Sequence, residues 1–301
     1  MQLFSKLVIA TLPIIPKAII KSVARRYIAG PLLEDAARVT QSLMRVGASS
    51  TIDVLGEFVT SRDRAQHEAT MSSAVVRAIH DHQLDAYLSV KLTSLGLDID
   101  ADFAFEQLTA IVDQARAAGV FVRMDMENTP YTEQTLQFYE RLRSMGYDNV
   151  GVVIQAYLRR SEADIRRLLP LKPNIRLCKG IYVEDEVHAF KDAEEIRANY
   201  RKLLSILLDG YAEVRIATHD EALITNAIAQ IAERERHPST VEFQMLLGVR
   251  EERRDQLIAA GYKMRIYVPF GEDWYGYSTR RLKENPQIAG HIAKAVLTGR
   301  S

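Results

Sequence analysis

Eight short β-rich runs recur along the chain, separated by helical patterns, and this alternation limits the possible folds more than any other feature. The runs are TIDVLG from Thr51, AYLSVKL from Ala86, VFVRMDME from Val120, NVGVVIQAY from Asn149, NIRLCKG from Asn174, EVRIATH from Glu213, TVEFQML from Thr240 and KMRIYVPF from Lys263. Between them, apolar residues return at helical spacing. Phe105, Leu108, Val112 and Ala115 form one stripe that Gly119 closes, and Leu136, Tyr139 and Leu142 form another that Gly146 closes. Ser161 with Asp164 reads as a capping box, and a long helix is expected from about Asp185 to Leu208. Strand, helix, strand at this spacing implies right-handed crossovers and a parallel sheet. Eight such units in about 250 residues make a closed (β/α)8 barrel. A doubly wound sheet is disfavoured because no strand leads into G-x-G-x-x-G or G-x-x-x-x-G-K-[ST].

Lysine plus arginine number 39, and aspartate plus glutamate also number 39. With no net field to attract polyanions, nucleic-acid binding is not indicated. The single cysteine, Cys178, rules out an internal disulfide and any multi-cysteine metal site, which fits a reducing, cytoplasmic setting. No metal site is expected: His188 and His219 lack metal-ligand spacing, and there is no H-E-x-x-H. Residues 1–48 are expected to form an N-terminal helical arm ahead of a barrel at 49–301. The start of the arm is apolar at Leu7–Ala10 and Ile14–Ile15, but Lys6, Pro13, Pro16 and Lys17 interrupt it. No run reaches the ~20 apolar residues that span a bilayer. Flanked by Lys17, Lys21, Arg25 and Arg26, the arm suits a membrane surface, a second subunit in a homo-oligomer, or simple docking on its own barrel.

Barrels of this type place chemistry at the C-terminal ends of their strands. Seven of the eight runs carry a polar group there: Lys91, Asp125 with Glu127, Gln155, Arg176 with Lys179, Thr218 with His219, Gln244, and Tyr267. One buried charge could be a structural ion pair, but a ring of them points to a site. Singly, Lys91 could serve only as a rim salt bridge, His219 as a cap for the following helix, and Cys178 as packing. In GEDWYGYSTRRLKENP, a helix after Trp274 would bring Tyr277, Arg280, Arg281 and Glu284 to one face. Lys91, Arg176, Lys179, Arg280 and Arg281 outnumber Asp125, Glu127 and Glu284, so the mouth is expected to be electropositive and to take an anion, with an arginine fork suiting a carboxylate.

The stretches SVKLTSLGL, VRMDMENTPYTEQTL, VVIQAYLRRSEADI, RLCKGIYVEDE, ANYRKLLSILLDGYAEVRIATHDEALI, VEFQMLLGVR and MRIYVPFGEDWYGYSTRRLKENP resemble the single-function bacterial proline dehydrogenases. They follow in order over about residues 50–290. The resemblance implies an α/β fold, a distorted (β/α)8 TIM-like barrel with N-terminal helices, holding FAD without a Rossmann fold. It implies oxidation of L-proline to Δ1-pyrroline-5-carboxylate, with electrons passed to a membrane quinone at the inner face of the membrane. By position, Asp125 and Arg176 would be the catalytic pair. Met126, Gln155, Lys179, Gly180, Ile181, Thr218 and His219 would contact FAD. Lys91, Arg280 and Arg281 would hold the proline carboxylate, Tyr182, Leu246, Tyr267 and Tyr277 would shape the pocket, and Glu284 would brace the arginines. Ile181 departs from the family's usual alanine. The chain ends soon after the matching region, so a separate aldehyde dehydrogenase is expected to consume the product.

The expected chemistry is hydride transfer from proline C5 to flavin N5, made effectively unimolecular by the carboxylate clamp and aromatic wall. Arg176 and Lys179 would stabilise the charge on the reduced flavin. Two other readings fit parts of the pattern: a flavin-free lyase using Lys91 or Lys179 as a Schiff base, and a non-catalytic barrel that binds amino acids or a membrane surface.

Overall fold

The computed structural model describes residues 26–210 and 212–274. Helix α1 (Leu33–Arg45) precedes eight strands: β1 (Ser49–Val54), β2 (Ala86–Val90), β3 (Val122–Met124), β4 (Val150–Gln155), β5 (Asn174–Cys178), β6 (Glu213–Ala217), β7 (Glu242–Leu246) and β8 (Lys263–Phe270). They pair in parallel, in sequence order, and β8 closes onto β1. Helices α2 (Arg62–Asp81), α3 (Ala101–Ala117), α4 (Thr129–Ser144), α5 (Ser161–Leu168), α6 (Ala193–Asp209), α7 (Glu221–Glu233) and α8 (Glu251–Ala259) link successive strands. Every β-rich run of the sequence is a strand, as the repeating alternation predicts.

A strand turns successive side chains to opposite faces, and here the two faces differ sharply. Ile52, Leu88, Val90, Val122, Met124, Val152, Ile154, Ile175, Leu177, Ile216, Phe243, Ile266 and Val268 belong to one buried apolar core. The helices add their stripes to it: Phe105, Leu108, Val112 and Ala115 from α3, and Leu136, Tyr139 and Leu142 from α4. The alternate strand positions carry Thr51, Asp53, Arg123, Arg176, Glu242, Gln244 and Arg265, all buried. Their bonds cross from strand to strand: Arg176 on β5 reaches Thr51 on β1 and Gln244 on β7. The lumen of the barrel is therefore polar, and the apolar core lies in the ring between strands and helices.

Three helix starts are capped by aspartates where the chain leaves the strand ends. Asp100 accepts hydrogen bonds from Asp102 and Phe103 N–H ahead of α3, Asp192 caps α6 through Glu194 and Glu195, and Asp220 caps α7 through Ala222. Two expectations need correction. Ser161 and Asp164 form no capping box: Arg160 holds the cap position without a side-chain bond, Ser161 Oγ donates to the Gln155 carbonyl, and Asp164 pairs with Arg160. The long helix begins at Ala193 rather than near Asp185, because the preceding segment pairs elsewhere. Ala189 bridges Leu158, Phe190 N–H donates to the Tyr157 carbonyl, and Asp192 then caps the helix.

Ahead of α1, Ala29 N–H donates to the Pro269 carbonyl and Gly271 N–H to the Gly30 carbonyl, while Ile28 packs with Leu55 and Trp274. The chain thus passes beside the C-terminal end of β8 before entering the barrel. Residues 1–25 of the arm lie outside the described residues.

Gly151 on β4 shows how tightly the lumen is filled. A Cβ there would lie 2.5 Å from Arg123 Nη1 and 2.7 Å from the Asn174 carbonyl oxygen. Arg123 is fully buried and donates through Nη1 to the carbonyls of Val152 and Asn174, both at 2.8 Å. Gly151→Ala should lower stability by ~1–3 kcal/mol through overpacking, read as a lower urea midpoint, and an unchanged midpoint would show that Arg123 can move aside.

Candidate active site

Arg176, near the middle of β5, lies beneath the C-terminal mouth of the barrel. Its Nη1 donates to Asp125 Oδ1 at 2.6 Å and its Nε to Gln244 Oε1 at 2.6 Å. The Tyr267 hydroxyl donates to the other Asp125 oxygen at 2.7 Å, and the Arg176 guanidinium lies 5.4 Å from the centre of the Tyr267 ring. Asp125 just past β3, Arg176 on β5 and Tyr267 on β8 are thus one cluster. Burial alone would raise the Asp125 carboxyl, but the Arg176 and Lys91 charges and the Tyr267 hydroxyl prevail and hold it below its ordinary value.

Lys91 follows β2 and donates to both oxygens of Asp53 at 2.9 and 3.0 Å. Burial pushes the Asp53 carboxyl up and Lys91 pulls it partly back. Burial would lower the Lys91 ammonium, but Asp53 and Asp125 outweigh it and keep the proton on the lysine. Asp53 corrects two expectations. The first strand also carries a polar group, so all eight strands contribute one, and the cation at Lys91 is matched. Lys179 is matched likewise: its Nζ lies 3.2 Å from Asp220, which also takes Arg197 at 2.8 Å. Among the described residues, the expected excess of cations at the mouth is largely compensated. The signal for Asp53 was present in the sequence: within TIDVLG, Thr51 and Asp53 share one face of a period-two strand, so a run that looks apolar has a polar side.

The remaining predicted residues fall at the same end of the barrel. Gln155 ends β4, 2% exposed, with its amide donating to the Met126 carbonyl at 3.3 Å and its own Oε1 buried without a partner. Gly180 follows β5 with φ +107°, a conformation side chains resist, and a Cβ there would run into the Tyr157 ring. Ile181, 38% exposed, and the half-buried Tyr182 come next. Thr218 accepts a hydrogen bond from Asp220 N–H at 3.1 Å. His219 does not cap α7, since Asp220 does. His219 Nε2 instead accepts from Leu246 N–H at 2.9 Å, tying the ends of β6 and β7 together. Tyr277, Arg280, Arg281 and Glu284 lie outside the described residues.

These groups fit a flavin nucleotide. The buried, unpartnered Gln155 carbonyl calls for an N–H donor, which the edge of an isoalloxazine ring supplies. At the same end of the barrel, the N-terminus of α7, with Lys179 and Arg197 paired to its capping Asp220, offers the backbone dipole and cations that bind phosphate.

Glu127 is fully buried just past β3. Its carboxylate accepts from Thr93 N–H at 3.0 Å and from the Thr93 hydroxyl, which in turn accepts from Phe58 N–H at 2.9 Å. One side chain thereby joins the loops after β1, β2 and β3.

A family profile described as proline dehydrogenase matches residues 36–294. The chain belongs to the proline dehydrogenase family. Its relatives in that family include Proline dehydrogenase 1 of Bacillus subtilis (strain 168), 40% identical over 274 residues that cover 91% of this chain and 90% of the relative. Proline dehydrogenase of Deinococcus radiodurans is 35% identical over 282 residues, covering 92% and 91%. Among solved structures, proline utilization A from Bdellovibrio bacteriovorus, inactivated by N-propargylglycine, superposes with a TM-score of 0.82 at 25% identity. That match covers 88% of this chain and 33% of the larger protein, so the chain spans about a third of its length. The eight-stranded barrel is the fold of the family.

Burial pushes the Glu127 carboxyl up to about 7, with the Thr93 bonds pulling partly against it. Its ordinary value is 4.5. A carboxyl raised on folding penalises the folded state as pH rises: the penalty is absent below about 4.5 and complete above about 7. Glu127→Gln should therefore gain stability relative to the parent between pH 5 and 8, by up to ~3 kcal/mol, in urea titrations at the two values. A constant difference between the two proteins would rule this titration out.

Proposed function

We propose that the chain oxidises L-proline to Δ1-pyrroline-5-carboxylate at the C-terminal mouth of the barrel, on a bound FAD, and passes the electrons to a membrane quinone. The observation that carries this reading is the cluster of Asp125, Arg176 and Tyr267 beneath the C-terminal mouth, with the unsatisfied Gln155 carbonyl at the same end. When bound, the flavin supplies the two-electron acceptor for the hydride leaving C5.

The residues of the chain bind, orient and polarise. Lys91, fixed by Asp53, presents a rigid ammonium to the proline carboxylate, and Arg280 and Arg281 complete the clamp in this reading. Tyr267, anchored through its hydroxyl to Asp125, offers its ring as a wall for the apolar pyrrolidine, with Tyr182, Leu246 and Tyr277 around it. Holding the substrate this way makes the transfer effectively unimolecular. Arg176, preorganised on Asp125 and Gln244, stabilises negative charge as it develops on the electron acceptor. Met126, Gln155, Lys179, Gly180, Ile181, Thr218 and His219 would hold the cofactor. The product leaves as a cyclic imine, which after hydrolysis is a substrate for an aldehyde dehydrogenase activity.

The ion pair with Asp53 argues against a Schiff-base role for Lys91, because such chemistry needs the neutral amine and the carboxylates hold the proton on. Anaerobic addition of L-proline should bleach the flavin absorption of the FAD-loaded protein. Lys91→Met should raise KM for proline about tenfold or more with a smaller change in kcat, since a carboxylate contact made in both ground and transition state is uniform binding. A flavin that stays oxidised with proline present would refute the assignment.

A further inference from the structure

Arg176 is held from below by an arrangement that the reaction itself does not call for. Gln244 on β7, 6% exposed, accepts from Arg176 Nε at 2.6 Å and donates through its own amide to Glu242 Oε1 at 2.7 Å. Glu242, 3% exposed, receives Arg265 Nε at 3.1 and 3.2 Å, and Arg265 Nη1 donates to the Ser50 carbonyl at 2.7 Å. Burial opposes ionisation of Glu242, but Arg265 and Arg215 outweigh it and hold the carboxyl below its ordinary value. A chain of hydrogen bonds therefore runs from Arg176 through β7 and β8 to the backbone of β1.

An amide is well suited to the middle of such a chain. It accepts from a guanidinium and donates to a carboxylate at once, and it is neutral. A carboxylate at 244 would also bind Arg176, but it would cancel the charge and face Glu242 across one hydrogen bond. We propose that Gln244 is a positioning residue for the oxidation. It fixes the guanidinium plane of Arg176 so that Nη1 meets Asp125, and its neutrality adds no second carboxylate to offset the arginine's charge beside the reduced flavin. This rests on the reading of Arg176 as a group acting beside the flavin.

The test compares Gln244→Leu, Gln244→Glu and Arg176→Lys in the full FAD-loaded chain. Three quantities are measured: the midpoint potential of the bound flavin by spectroelectrochemistry, FAD affinity of the apoprotein by fluorescence titration, and the rate of flavin reduction by proline against pH. Gln244→Leu should slow reduction about tenfold or more, as loss of a bond to a charged group does, with the proline concentration for half-maximal rate changed less than about threefold. Gln244→Glu keeps the bond to Arg176. It should lower the flavin potential and add an ionisation to the rate profile, because two adjacent carboxylates cannot both ionise freely. If Gln244→Leu fails to fold, Gln244→Glu alone decides: the parental potential and parental pH profile in that variant would overturn the proposal. Arg176→Lys separates the two levels. If it alters potential and rate while both Gln244 variants match the parent, the proposal falls and the reading of Arg176 stands. If Arg176→Lys matches the parent, the reading of Arg176 fails and the proposal with it.

Discussion

A guanidinium with no access to water is tolerated only where its donors meet acceptors and its charge meets an opposite charge or a polarisable face. Arg176 meets both conditions in the lumen of the barrel, through Asp125, Gln244 and the Tyr267 ring. The same demand recurs below it. Arg265 is held by Glu242, the Ser50 carbonyl and the Tyr87 ring, while Arg123 is held by two backbone carbonyls, Asn174 and the Phe121 ring, with only its Nε left without an acceptor. Burial, with Arg176 and Arg215 nearby, even pushes Arg123 down to about 9. Because these groups fill the space inside the strands, apolar packing is displaced outward, into the ring between strands and helices. Stability and chemistry thus occupy different faces of the same eight strands.

Among the described residues, charge at the mouth works by placement rather than by excess. Lys91 on Asp53, and Lys179 and Arg197 on Asp220, are cations already matched by buried or capping carboxylates. Such pairs draw ligands from solution less strongly than a bare positive patch would, since the field of each cation is largely cancelled at a distance. At contact range they present donors whose positions are fixed before the ligand arrives, which is where preorganised charge has its effect. Asp220 does three things at once: it caps α7, orders Lys179 and orders Arg197.

The loops that frame the mouth depend on the same logic. Glu127 is satisfied by the neutral Thr93 rather than by a directly bonded cation, so burial raises it. Asp125, two residues earlier, faces Arg176 and is lowered. Two carboxylates on one short segment are thereby pushed in opposite directions by what lies opposite each of them, one toward a structural clasp and one toward permanent charge.

The sequence by itself determined the architecture. Eight β-rich runs separated by helical stripes leave little besides a (β/α)8 barrel, because secondary structure and burial are read from periodicities that each segment carries locally. It also placed the polar residues at one end, since which end of a parallel strand carries chemistry follows from chain direction. Tertiary structure alone decided the pairings. Asp53 looked like part of an apolar run until β1 was set beside β2 and its carboxylate met Lys91. Gln244 was one more polar residue on a strand until closure of the barrel set it between Arg176 and Glu242. Helix starts were misjudged for the same reason: the segment before Asp192 has helical character but finds partners in Leu158 and Tyr157, distant in sequence. A partner from another strand leaves no local trace in a chain, and pKa, charge balance and geometry are all set by such partners.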